Sequence, residues 1–68
     1  MPYTQDDWDR VIHELRSYAG ALSEAVESEA MRDSEGRSIE TICGMIRDAY
    51  DEFDAIKAAF VRRAIKGA

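Results

Sequence analysis

Cysteine, proline and histidine each occur once in 68 residues, and each scarcity closes a route. The single Cys43 excludes an internal disulfide. One Cys with one His falls short of the four N/S ligands of a structural zinc site. Proline stands only at position 2, so nothing after it breaks a helix by ring clash. The four glycines are scattered, so there is no phosphate-cradling loop. No apolar run approaches the roughly eighteen residues of a membrane span. Met1 to Arg10 is acidic and lacks the apolar segment of a secretory signal. These absences point to a soluble, cytoplasmic chain without cofactor or metal.

Basic residues are also the minority, 9 against 14 acidic, for a net charge of −5. Their placement says more than their sum. Lys57, Arg62, Arg63 and Lys66 are the only charges after Asp54, so residues 57–68 carry +4 and residues 1–56 carry −9. Such a surface is a poor match for a phosphate backbone and a better one for a basic protein. Direct nucleic-acid or membrane binding is not expected.

What the chain has is one apolar cadence written twice. Trp8, Val11, Ile12, Leu15, Tyr18, Ala19, Leu22, Ala25 and Val26 form the first run, and Ile39, Ile42, Cys43, Ile46, Ala49, Tyr50, Phe53 and Ile56 the second, with Phe60 continuing it. Steps of three and four residues put these side chains on one face of a helix. The spacing predicts an all-α fold: one antiparallel two-helix hairpin domain over residues 1–68. Its helices run from about 5 to 32 and from about 37 to 66, with a turn at 33–36. Thr4 and Asp7 form a capping box at the first start. Ser34 or Ser38 can cap the second helix, and Gly36 can take a left-handed turn conformation. Cys43 lies on the stripe and is expected to behave as a small buried hydrophobe. The basic end of helix 2 is expected to lie beside, and pair with, the acidic start of helix 1.

Three apolar positions per heptad make a stripe wider than one helix–helix seam needs. A homodimer closing into a four-helix bundle would cover it. Trp8, Leu15, Leu22, Ile46, Tyr50, Phe53 and Phe60 are the expected self-association residues. Val61 and Ile65 fall off the stripe and make the end of helix 2 apolar almost all round. They would be covered by a second subunit or dock another protein. Gly20 and Gly44 take equivalent outer positions, where either simple tolerance or a close backbone approach explains them.

Asp48, Asp51, Glu52 and Asp54 form the densest acidic cluster. They lie off the seam and no Glu-x-x-His accompanies them, so a solvated acidic face is the better reading than a carboxylate metal or acid–base site. With Glu24 and Glu27 they are the candidate contacts for a basic partner. The expectation is therefore a non-catalytic protein-binding module. Its specific form is a phage-type, anti-CRISPR-like inhibitor that occludes a basic nucleic-acid-binding surface. A structural adaptor using Val61 and Ile65 is an alternative.

His13 carries another alternative. It projects outward, with Asp9 one turn earlier. The string His13-Glu14-Leu15-Arg16 resembles the phosphoacceptor box of histidine-kinase dimerisation hairpins, which implies a dimeric four-helix bundle with an exposed phosphorylated histidine in a signalling module. Ser17 fits the box as well. Tyr18 replaces the family's proline, and Ile12 stands where serine is usual. A solvated surface histidine is the preferred reading of His13.

Overall fold

A computed structural model describes the backbone of residues 3–67 and the side chains of residues 3–65. Two helices, α1 (Gln5–Glu27) and α2 (Ile39–Gly67), pack against each other as a hairpin 52 Å long and 17 by 15 Å across. No strand forms among the described residues; Arg32 and Ser38 make one isolated bridge. No helix is long and apolar enough to cross a membrane.

The start of α1 follows from local chemistry. Asp7 N–H donates to the Thr4 hydroxyl at 3.4 Å, and Thr4 N–H donates back to the Asp7 carboxylate at 2.9 Å. Asp6 and Asp7 add negative charge where the helix dipole is positive.

The end of α1 differs from the sequence expectation. The helix stops at Glu27, five residues before Arg32. Its last turn holds no basic residue, and Glu24 and Glu27 put like charge at the negative end of the dipole. Ser28 then turns extended, and its hydroxyl accepts from Ala30 N–H at 3.2 Å, offering the backbone an alternative to the helix. Met31 takes φ +59 and Gly36 φ +80, which only glycine adopts freely. The turn expected at 33–36 is thus an eleven-residue connection, 28–38. Ser38, not Ser34, caps α2: its hydroxyl accepts from Thr41 N–H at 3.2 Å.

Where the two helices meet, Val11, Ala25, Ile42 and Ile56 lose all solvent contact and Ala49 nearly all. Two cylinders seal only one line, so the rest of the stripe stays open. Leu15, Leu22, Ile46, Phe53 and Phe60 are half-buried. Val26 and Tyr50 are more than half exposed. Cys43, expected to be buried, is exposed, because it sits about 100° round α2 from Ile42 and past the reach of α1.

Candidate interaction surfaces

The connection is built around a residue whose role the sequence does not advertise. The Asp33 side chain is almost fully buried. It accepts from Arg37 N–H at 2.7 Å, from the Arg37 guanidinium at 2.7 Å and from Glu35 N–H at 3.1 Å. Desolvation pushes its carboxyl pKa up, but the Arg37 and Glu35 hydrogen bonds and the Arg37 charge outweigh it, and the net shift is downward. The same hydrogen bond raises Arg37. Around this centre, Asp33 N–H donates to Arg37 C=O, and Arg32 caps the Gly36 carbonyl at 2.7 Å. Ser34 N–H reaches back to the Glu24 carboxylate at 2.6 Å. Glu24, expected as a partner contact, therefore ties the connection to the last turn of α1.

The hairpin has two unlike broad sides. On one, Arg10 bridges the helices, donating to Glu52 of α2 at 2.8 Å and to Glu14 at 3.0 Å. The Glu52 bond, then the Glu14 bond, holds Arg10 above its usual pKa. Met45, Asp48 and Tyr18 complete an open groove there. Glu52 thus belongs to the scaffold rather than to a free acidic flank. Asp48, Asp51, Asp54 and Glu27 are exposed and make no ion pair among the described residues.

The other side is apolar. Trp8 stacks against Phe53 at 5.1 Å and Phe60 at 5.7 Å between ring centroids, and Tyr50 meets Phe53 at 5.8 Å. On α1, Trp8, Leu15, Ala19 and Val26 lie to this side of the buried line by their spacing from Val11. On α2, Cys43, Ile46 and Tyr50 lie to the same side of Ile42. The structure thus brings the expected self-association residues onto one side of the hairpin, flanking the sealed line.

At the far end of α2, Val61 is 49 % and Ile65 72 % exposed. Together with Ala58 they line a shallow depression rimmed by Asp54, Lys57 and Arg62. Among the described residues, the expected pairing of this basic end with the acidic start of α1 is not made by Lys57, Arg62 or Arg63, which form no ion pair with Asp6, Asp7 or Asp9; the Lys66 side chain lies outside the described residues. Arg63 instead lies over the Phe60 ring at 5.8 Å. The Asp7 carboxylate is occupied by the cap. Asp9 accepts from Gln5 at 3.1 Å rather than engaging His13, which is exposed. A side chain at Gly20 or Gly44 would meet nothing within 4 Å, so no close backbone approach within the chain explains either glycine.

Among the described residues, no group of three His, Cys, Asp or Glu side chains is placed to hold a metal ion. No family model matches the chain, and no curated protein or solved structure matches it.

Proposed function

We propose that the chain is a non-catalytic binding protein that dimerises into a four-helix bundle and acts by gripping a basic protein surface. The observation that carries this reading is the division of labour between the two sides of the hairpin. Glu24 and Glu52 are spent on the scaffold, while Asp48 and Asp51 stand exposed along the outside of α2 and make no ion pair among the described residues. Unpaired acids on a rigid helix raise the on-rate and the selectivity for a positively charged partner. A large basic patch is the electrostatic footprint of a nucleic-acid-binding surface. Covering one is how a phage-type, anti-CRISPR-like inhibitor of this size and charge would work. The reading is of an inhibitor rather than an enzyme.

The test is charge reversal outside the scaffold. Wild type and Asp48→Lys/Asp51→Lys are each tagged and used to capture partners at low and at high salt, with helicity checked by circular dichroism. The reading expects a basic nucleic-acid-binding protein retained by the wild type at low salt, released by high salt, and absent from the variant. Equal retention by a folded variant would remove it.

A further inference from the structure

We infer that a second copy of the chain covers the Trp8–Tyr50 side in an antiparallel two-fold arrangement, with α2 packed against the partner's α2. This rests on the dimer reading above and adds which side is used and which way the copies run.

The first argument is area. The hairpin measures 52 by 17 Å, so one broad side offers at most roughly 880 Å² in projection, comparable with the about 800 Å² per partner of a standard stable interface. The second is continuity. Half-buried Trp8, Leu15, Ile46 and Phe53 share this side with exposed Tyr50, and Trp8, Phe53 and Tyr50 are in ring contact. Lys57 is the one charge within the α2 half of this side, and its long stem can carry the amine to the rim.

The third argument is charge, and it selects the direction. Arg47 and Asp54 lie seven residues apart on the outer rim of this side, about 10 Å along the helix, flanking Tyr50. Both are exposed, and neither has an ion-pair partner among the described residues. A two-fold axis passing between residues 50 and 51 sets each Arg47 opposite the other copy's Asp54, twice. It also separates the two basic C-terminal ends and lays each toward the acidic connection of the other copy. The parallel alternative sets α2 against α1. Arg10 meets Glu52, so Arg47, five residues earlier on α2, lies level with about Leu15 on α1, next to Arg16. That arrangement sets Arg47 near the other copy's Arg16, with Glu14 already held by Arg10, and its charge match is confined to the open end, where Asp7 and Asp9 are engaged by Thr4 and Gln5.

Sedimentation equilibrium over a wide concentration range tests this on the full chain, with helicity confirming that each variant folds. The wild type is expected at twice the chain mass. Arg47→Asp and Asp54→Arg should each weaken association at least tenfold, and the double swap should restore it. Tyr50→Glu should abolish it with no rescue. A wild type that stays monomeric at every concentration overturns the dimer reading and this inference with it. A dimer broken by Tyr50→Glu but indifferent to the charge swaps, or weakened by them without rescue, overturns the antiparallel arrangement alone. A dimer that survives Tyr50→Glu overturns the choice of side.

Discussion

Ile42→Ala is the sharpest test of how the hairpin is held together. Ile42 has no solvent contact, one turn into α2 where the connection feeds the helix into its packing line. The substitution removes three carbons, roughly 2.4 kcal/mol of transfer free energy at about 0.8 kcal/mol per methylene. The residual cavity adds to that, and measured Ile→Ala truncations run at about 2–5 kcal/mol. We expect about 3 kcal/mol here, because a two-helix core can partly collapse by sliding. The magnitude matters because a single core in so short a chain supplies only about 3–5 kcal/mol. One side chain is then worth most of the monomer's stability. Urea titration followed by circular dichroism and by the fluorescence of Trp8 would measure it. With a slope near 1 kcal/mol/M, the midpoint should fall by about 3 M, leaving the variant partly unfolded in buffer at low concentration. A loss below about 1 kcal/mol would mean that Ile42 is not sealed by α1, and would refute the packing described above.

Four further outcomes follow from particular contacts. Gly20→Ala and Gly44→Ala, each in open space within a helix, should each stabilise by about 0.5–1 kcal/mol in the same titration; a loss would reveal that something packs there. Asp33 has a lowered carboxyl pKa in the folded state, so its contribution is present above its unfolded value of 3.8 and is lost as pH falls through the lower folded value. Asp33→Asn should therefore be less stable at pH 7 and lose less on acidification, so that the two melting curves converge in acid; a constant gap would refute the sign. Val61→Ser with Ile65→Ser should leave monomer stability within about 0.5 kcal/mol, since both are exposed. A change in association mass would place them in the subunit contact, and an unchanged mass would count against the adaptor reading as well. His13→Gln should leave folding and association unchanged; acid-labile phosphate on the wild type but not on this variant would revive the phosphoacceptor reading.

The helical cadence alone was enough for the hairpin, because period and length decide helix formation, and Thr4 with Asp7 marked the first start to the residue. The connection was not legible in the same way. Asp33, Ser34, Glu35 and Gly36 read as an ordinary polar turn, and nothing in their order says that one carboxylate will be buried at the centre. What signal existed lay in the spacing of Asp33, Gly36 and Arg37, which permits an Asx-type turn closed by an arginine. Glu24 and Glu52 looked like free surface acids because their partners, Ser34 N–H and Arg10, are distant in sequence. Cys43 looked buried because the stripe was wide, and only the number of helices available to cover it decided otherwise.

Composition and periodicity by themselves determined that this chain is two amphipathic helices folded back on each other, acidic along most of their length and basic at the end. Those properties belong to single helices, set by which residues recur every three or four positions. Tertiary structure decided what depends on two helices meeting: that only a narrow line of the stripe is sealed, that Arg10 and Glu52 close one side, and that the aromatic side from Trp8 to Tyr50 is left uncovered. A helix sequence fixes its own faces, but which of them meets solvent is set by the neighbour that packs against it.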